Sequence, residues 1–336
     1  MSRNTAMSRL QDACRKNGPL CIGLDTDPSY LPESVIAKYP SKEEAVLAYN
    51  KGIVDAASQY AGCYKVQIAY YEAMGLKGME VFAKTVQYIR SKNIPVISDV
   101  KRGDIADTAK AYAKAHFQGD FETDIITINP YMGFDTLEPF MSFFPEKGAF
   151  VLLRTSNPGM QDIENQPLSN GNPVLSLVGE KLNQLAAEYA SSNPGECSPF
   201  GAVVGCTEEE DARKIRDMYP DVFFLIPGFG AQGGKARIAA TLLDKAGGAV
   251  NSSRGILTAW KKDEELAREY KIQINYFEKT FYKNAVNREQ TMKALQASAA
   301  QLENLLRYPG IRNILCNKTN NINYDDILAN GEIVLV

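Results

Sequence analysis

The feature that most constrains the fold is a series of short apolar segments that recurs along the chain. Each is rich in Val, Ile, Leu, Phe, Ala or Cys, and most are nearly continuous rather than alternating with polar residues. Strands of a parallel sheet have this pattern, because helices cover both faces of such a sheet. The predicted strands are Leu20–Asp25, Cys63–Ile68, Pro95–Val100, Asp124–Asn129, Ala149–Arg154, Phe200–Gly205, Val222–Ile226 and Ala249–Asn251.

Most segments between these strands have the composition and spacing of amphipathic helices. Capping boxes at Ser41–Glu44 and Thr207–Glu210 predict two helix starts, and Asp104–Phe117 and Leu175–Ser191 are predicted to be further helices. Eight alternations of strand and helix in 336 residues favour a closed barrel over an open doubly wound sheet. We therefore predict an α/β fold of the (β/α)8 TIM barrel type.

The predicted domain organisation is a single barrel domain with extra helices over residues 1–312. One segment inside it, Asn157–Pro173, is rich in Asn, Gly, Pro and Gln and predicts a long loop after the fifth strand. Residues 313–336 are rich in Asn and end in a short apolar stretch. We expect them to form a C-terminal tail, and the sequence does not indicate what this tail does.

Composition and charge narrow the classes of function. The formal net charge of −3 gives no electrostatic reason to expect nucleic acid or an anionic membrane as a partner. The six cysteines include no C-x-x-C pair, and with one histidine they argue against a zinc site. No apolar signal region and no stretch of about 18 apolar residues is present. We expect a soluble cytoplasmic protein with reduced cysteines and no metal.

Polar side chains stand repeatedly at or near the carboxyl ends of the predicted strands, where TIM barrels build their active sites. They are Asp25, Lys65, Asp99, Lys101, Asn129 and Ser156. A charged residue in an apolar strand is costly unless it is paired or functional. One such residue would more often bridge a structural carboxylate. Several at equivalent ends of successive strands favour a functional site.

The third strand carries the densest group of charges. Asp99 and Lys101 are two residues apart, so their side chains leave the same face of an extended strand. Asp104 opens the next predicted helix, where a carboxylate is favoured by the helix dipole and where its alternative role is simply an N-cap. With Lys65 on the adjacent strand, acids and bases alternate. Such carboxylate neighbours would keep both lysines protonated.

Two loops near the end of the barrel predict a phosphate site. Pro227–Gly234 is Gly-rich and follows the seventh strand, and Asn251–Gly255 follows the eighth. Loops in these two positions of a barrel frequently bind phosphate through backbone N–H groups and a short helix N-terminus. Arg254 adds a forked donor suited to phosphate oxygens. A Gly-rich loop alone is weak evidence, but the two loops together are considerably stronger.

At this point the sequence resembles a known family. The segment Asp99–Thr108 matches the motif D-x-K-x-x-D-I-x-x-T of orotidine 5′-phosphate decarboxylases. The resemblance extends from about Leu20 to Ile256, and the segment Thr127–Asp135 and the long loop are similar to the larger subgroup of this family. The other matching positions are Gly23–Asp25, Tyr64–Lys65, Thr155–Gly159, Pro227–Gly234 and Arg254–Gly255.

The resemblance implies cofactor-free decarboxylation of orotidine 5′-phosphate to UMP, the last step of de novo UMP synthesis. It implies that Lys101 is the general acid and the main cation beside the developing carbanion. Asp99 would lie next to the substrate carboxylate, and Lys65 would order the network. It also implies a homodimer with shared active sites, in which Asp104 reaches into the partner's site.

The same resemblance implies a set of substrate-binding residues. Some would contact the ribose or the pyrimidine, some would hold the phosphate, and two would reach the partner's site as Asp104 does. They are Asp25, Ile105, Thr108, Asn129, Ser156, Pro227, Gln232, Gly234, Arg254 and Gly255.

Three other interpretations remain open at this stage. A 3-keto-gulonate phosphate decarboxylase or hexulose phosphate synthase shares the D-x-K-x-x-D core, but these enzymes resemble each other in using magnesium and an acidic residue where Lys65 stands. A non-catalytic nucleotide-binding barrel is compatible with the fold, although it would not need this alternation of charges. A Schiff-base aldolase would use a strand lysine as its nucleophile.

Overall fold

The computed structural model describes residues 5–227 and 236–261. Within them, eight strands pair in chain order, and β1 also pairs with β8, so that the sheet closes into a barrel. All the pairs are parallel. The strands are β1 (Leu20–Gly23), β2 (Cys63–Gln67), β3 (Val96–Arg102), β4 (Ile125–Ile128), β5 (Gly148–Arg154), β6 (Phe200–Val204), β7 (Phe224–Ile226) and β8 (Gly248–Ser252).

Helices connect the strands and surround the barrel. In the described part of the chain they are α1 (Ala6–Asn17), α2 (Glu33–Ile36), α3 (Lys42–Ala57), α4 (Ile68–Glu72), α5 (Gly75–Ser91), α6 (Ala106–Phe117), α7 (Glu138–Met141), α8 (Leu175–Ser192), α9 (Glu209–Met218), α10 (Ala236–Leu242) and α11 (Arg254–Leu257). The predicted fold class, a (β/α)8 TIM barrel, is confirmed. Each of the eight apolar segments overlaps one of the strands, and β3, β5 and β8 extend one or two residues beyond the predicted bounds.

The apolar residues of the strands explain why the barrel forms. Every residue of β4, β6 and β7 is buried, because one face packs inside the barrel and the other packs under the helices. Helix α1 closes the amino-terminal end. Its Met7 and Leu10 are fully buried in a cluster that includes Cys21 of β1 and Phe150 of β5. The carboxyl ends of the strands therefore form the other end of the barrel.

Two helix starts differ from their predicted positions. The Ser41 cap is present, because Ser41 Oγ accepts a hydrogen bond from the Glu44 amide at 3.2 Å. The Thr207 cap is wrong: α9 begins at Glu209, and its N-cap residue Glu208 makes no side-chain capping bond. Acidic residues in the first turn of α9 interact favourably with the helix dipole instead. Helix α6 begins at Ala106, so Asp104 precedes the helix rather than opening it.

Other sequence predictions concern topology and the chain ends. The long loop after β5 is present and contains one short 3-10 helix, Pro158–Asp162. No helix in residues 5–227 and 236–261 is both long and apolar enough to cross a membrane. The predicted boundary at residue 312 and the tail 313–336 lie outside the described residues, as do Gln232 and Gly234.

Candidate active site

A cavity of about 370 Å³ lies at the carboxyl ends of the barrel strands. This volume is in the range that small-molecule sites occupy. The residues at its wall come from most of the strands and from the loops that follow them. Seven residues singled out from the sequence line it: Asp25, Lys65, Asp99, Lys101, Ser156, Pro227 and Arg254.

Four of these side chains form a continuous row of alternating charge. Lys65 Nζ lies 3.0 Å from Asp25 Oδ1 and 3.0 Å from Asp99 Oδ2, and Lys101 Nζ lies 2.6 Å from Asp99 Oδ1. Lys65 and Asp99 are buried, with side chains 5% and 9% exposed, whereas the Lys101 side chain is 46% exposed. The row therefore presents the Lys101 ammonium to the cavity, while Lys65 and Asp99 are buried and Asp25 is partly exposed.

The two buried members of the row, Lys65 and Asp99, are held in the ionised state by their neighbours. Burial by itself would lower the pKa of Lys65, but the carboxylates of Asp99 and Asp25 outweigh this effect and raise the pKa above its ordinary value. Burial would likewise raise the pKa of Asp99, but the ammonium groups of Lys65 and Lys101 hold it well below its ordinary value. Removing Lys65 or Asp99 would leave a buried charge with one ion-pair partner fewer, which is strongly unfavourable, whereas the Lys101 side chain is largely exposed.

Asp99 has two further hydrogen-bond donors that the sequence analysis missed. Gln67 Nε2 donates to Asp99 Oδ2 at 3.0 Å, and Thr127 Oγ1 donates to Asp99 Oδ1 at 2.9 Å. With the two lysines, these residues give each carboxylate oxygen two donors. Gln67 lies two residues after Lys65 on β2, so the same strand alternation that pairs Asp99 with Lys101 could have found it. A Thr in a strand carries no such signal.

The end of β5 carries a second charged group that the sequence analysis missed. The Arg154 side chain is 6% exposed and donates to Asp211 Oδ2 through Nε at 3.0 Å and Nη2 at 2.8 Å. It also donates to Asn165 at 2.7 Å. Glu164, 3.6 Å from Arg154, accepts a hydrogen bond from the Thr155 hydroxyl at 2.6 Å. Arg154 thus anchors the long loop beside Ser156.

The side chains of Asn251 and Ser253 pack tightly against Gly23 at this end of the barrel. A β-carbon on Gly23 of β1 would lie 2.8 Å from both Asn251 Oδ1 and the β-carbon of Ser253. Only glycine fits there. The contact brings the segment that carries Asp25 against the segment that carries Arg254. Asp25 and Arg254 consequently line the same cavity, although one follows the first strand and the other follows the last strand.

Five other predicted site residues are described but do not line this cavity: Asp104, Ile105, Thr108, Asn129 and Gly255. Asn129 Oδ1 instead accepts a hydrogen bond from the Tyr131 amide at 3.0 Å. Gly255 follows Arg254 within α11. Asp104 and Ile105 lie just before α6 and Thr108 lies in its first turn; Thr108 is exposed and Ile105 is 57% exposed.

The fold and the cavity together define a (β/α)8-barrel enzyme whose site is a row of lysines and aspartates. Comparison with known proteins identifies the family to which this enzyme belongs. The model of the orotidine 5′-phosphate decarboxylase / HUMPS family matches residues 18–270. The chain belongs to this family, as the motif around Asp99 and Lys101 implied.

Similar proteins agree with this assignment. The chain is 52% identical over 269 residues to the orotidine 5′-phosphate decarboxylase of Clostridium botulinum (strain Loch Maree / Type A3), covering 79% of this chain and 93% of that protein. It is 50% identical over 260 residues to the enzyme of the same name from Clostridium perfringens (strain SM101 / Type A), covering 76% and 90%. The solved structure of Leishmania donovani OMP decarboxylase is 28% identical, with a TM-score of 0.59, over 79% of this chain and 98% of that chain.

Proposed function

We propose that this chain is a carboxy-lyase that converts orotidine 5′-phosphate to UMP without a cofactor. The observation that carries the proposal is the row from Asp25 through Lys65 and Asp99 to Lys101, whose last ammonium faces a cavity that Arg254 also lines. The two Clostridium relatives, both named for this activity, support it.

The reaction explains why a row of fixed charges is useful. When the bond from C6 to the carboxylate breaks, CO₂ leaves and the electron pair stays on C6, in the plane of the ring. No adjacent carbonyl can delocalise this pair, so a preorganised positive charge must stabilise it. The Lys101 ammonium supplies the charge and then transfers a proton from Nζ to C6, which gives UMP. Water returns a proton to Lys101 afterwards.

The other members of the row prepare Lys101 and the substrate. Asp99 lies beside Lys101 and would also lie beside the substrate carboxylate. As that carboxylate leaves as neutral CO₂, its repulsion with the Asp99 carboxylate is relieved. Lys65 neutralises Asp99 from the far side and holds Asp25 in place. Asp25 then accepts a hydrogen bond from a ribose hydroxyl, and Ser156 contacts the amide edge of the pyrimidine.

The phosphate of the substrate is bound at the end of the cavity that β7 and β8 form. Arg254 reaches this end as a forked donor, and Pro227 marks the start of the Gly-rich loop that carries Gln232 and Gly234. Gly255 lies beside Arg254 in α11, where backbone amides are available to phosphate oxygens. Phosphate is remote from C6, so its binding energy can position the pyrimidine against Lys101.

We infer further that the enzyme is a cytoplasmic homodimer in which Asp104, Ile105 and Thr108 complete the partner's site. These residues lie outside the cavity of their own chain. The loop that carries Tyr131 adjoins them, since Gly103 packs against Asn129, and its Tyr131 is 78% exposed. Exposed apolar side chains in adjacent loops are typical of an interface.

The test is a spectrophotometric assay of orotidylate loss with purified protein, run with and without EDTA. We expect turnover at equal rates in both. Loss of activity in EDTA would favour the magnesium-dependent branch of the family, in which an acidic residue stands at the position of Lys65. Binding of UMP without any turnover would favour a non-catalytic nucleotide-binding protein, and borohydride trapping of Lys101 would favour a Schiff-base aldolase.

A further inference from the structure

We propose that Thr127 is a positioning residue whose hydroxyl sets the distance between Asp99 and the backbone that carries Lys101. The inference rests on the proposed decarboxylase function and adds a residue to it. Thr127 lies in β4 and is 1% exposed. It belongs to the neighbouring strand rather than to the motif that contains the charged residues.

The Thr127 hydroxyl uses its whole hydrogen-bonding capacity on the catalytic strand. It donates to Asp99 Oδ1 at 2.9 Å, and it accepts from the backbone amides of Val100 at 3.0 Å and Lys101 at 2.9 Å. A hydroxyl group has one donor and two acceptor positions, so no further strong bond is available to it. One oxygen atom thus contacts the carboxylate and the two peptide units that follow it.

These amides need such a partner because the strand is irregular there. The pairing of β3 with β4 shifts register between Ser98 and Arg102. Lys101 has a φ of +46°, which is unfavourable for a residue with a side chain. The hydroxyl of Thr127 accepts hydrogen bonds from the two backbone amides that lead into this strained residue. We infer that it stabilises the conformation that aims Lys101 back towards Asp99.

The consequence concerns catalysis more than stability. Lys101 Nζ is held 2.6 Å from Asp99 Oδ1, the same oxygen that Thr127 contacts. Loss of the hydroxyl would leave this oxygen with one donor fewer and release the backbone of Lys101. A displacement of about 1 Å in a catalytic group can cost about 100-fold in rate. Substrate binding through the phosphate end of the cavity would be unaffected.

The experiment compares Thr127→Val, which keeps the shape but removes the hydroxyl, with Thr127→Ser, which keeps the hydroxyl. We measure kcat and KM for orotidine 5′-phosphate and the dissociation constant of UMP. In Thr127→Val we expect kcat to fall about 100-fold, while UMP binding changes less than about threefold. Thr127→Ser should keep kcat within about tenfold of the wild type, because its hydroxyl can make the same bonds.

Thr123→Val is the matched control. Thr123 is also fully buried, just before β4, and its hydroxyl donates to the Val96 carbonyl at 3.1 Å, away from the cavity. This variant should lose stability in urea denaturation and keep the kcat of the wild type. A purely structural role for Thr127 would make the two valine variants alike.

The outcomes separate this inference from the proposed function. Wild-type kcat in Thr127→Val would overturn the inference and leave the decarboxylase function intact. If Thr127→Val does not fold, Thr127→Ser decides, since a 100-fold loss in the serine variant would show that the hydroxyl is not what matters. Absence of turnover in the wild type would overturn the proposed function and this inference together.

Discussion

Lys101 and Asp99 form the shortest ion pair of the charged row, with 2.6 Å between Nζ and Oδ1. The two side chains differ greatly in their exposure to solvent. The Lys101 side chain is 46% exposed and the Asp99 side chain is 9% exposed. The pair therefore has a buried anion and an accessible cation. An accessible ammonium can contact a substrate, and the buried carboxylate keeps it in one place. This asymmetry is the basis of the first prediction.

Lys101→Ala should reduce kcat for orotidine 5′-phosphate on the order of 10⁴-fold or more, because the stabilising charge and the proton donor are lost together. The fold should persist, since Lys101 is not part of the core. The spectrophotometric assay measures the loss, and thermal unfolding measures the stability. Lys84→Ala removes a 57% exposed lysine on α5 and serves as the control with unchanged kcat. Substantial turnover in Lys101→Ala would contradict the assigned role.

Arg254→Ala should weaken binding of orotidine 5′-phosphate by about 2 kcal/mol, roughly 30-fold, the scale of one lost charge-assisted contact. The same change should barely affect orotidine, which has no phosphate. Comparing KM for the two substrates isolates the phosphate contact. Equal damage to both substrates would show that Arg254 supports the structure instead.

Mixing of two inactive variants tests the shared site. Lys101→Ala and Asp104→Ala should each be nearly inactive, because each variant lacks one required side chain in both sites of its dimer. In a mixed dimer, the intact Lys101 of one chain meets the intact Asp104 of the other, and one complete site results. Random exchange makes half of the dimers mixed, so about one quarter of all sites should recover. Native mass spectrometry counts the mixed dimers. Their presence without recovered activity would place both residues in one subunit's site.

His116 gives a prediction for pH. Burial, followed by the charge of Arg102, lowers the pKa of His116 from 6.5 to about 4. The unfolded chain therefore binds this proton more tightly. The stability that neutral His116 contributes is complete above about pH 6.5 and is lost as the pH falls towards 4, by up to about 3 kcal/mol.

The measurement for His116 is direct, because the chain has one histidine and its NMR signals need no further assignment. We expect the imidazole to titrate near pH 4 in the folded protein. Urea unfolding of His116→Gln should depend less on pH between 6.5 and 4 than unfolding of the wild type. A histidine that titrates near pH 6.5 would mean that it is not held in this buried contact with Arg102.

Arg154→Gln should lower the free energy of unfolding by about 3 kcal/mol, since it leaves Asp211 and Glu164 without their buried partner. It should also raise KM, because the loop beside Ser156 loses its anchor. Urea denaturation and steady-state kinetics measure the two effects. Arg213→Gln is the control: its pair with Asp244 is exposed, and the change should cost less than about 1 kcal/mol. Similar losses in both variants would show that the Arg154 network is not special.

The sequence predicted those parts of the molecule that leave a local signature. Continuous apolar runs located the strands, and isolated charges at their ends located Asp25, Lys65, Asp99 and Lys101. The sequence did not predict a role for Thr127, because threonine is common in strands. The role that we propose for it depends on a register shift between β3 and β4 that only the folded barrel contains. The carboxylate partners of Arg154 are Glu164 and Asp211, 10 and 57 residues further along the chain, so the sequence around Arg154 does not predict these ion pairs.

A local hydrogen bond explains why one residue at a strand end, Asn129, does not line the site. Asn129 follows β4 as expected, but its side chain turns back to the Tyr131 amide and forms a local turn. Short polar side chains frequently satisfy the backbone in this way. A position at the carboxyl end of a strand therefore places a residue near the cavity without deciding where its side chain points.

The pairing of β1 with β8, which closes the barrel, has a consequence for how the enzyme folds during synthesis. Asp25 emerges early in synthesis and Arg254 more than two hundred residues later, and the pairing of β1 with β8 brings both to the same cavity. A growing chain that already contains the whole D-x-K-x-x-D segment still lacks Arg254 and the last strand, which complete the wall of the cavity. The ability to hold a nucleotide monophosphate should thus arise in a single late event, when the last strand docks. Ligand binding would report that the barrel is finished.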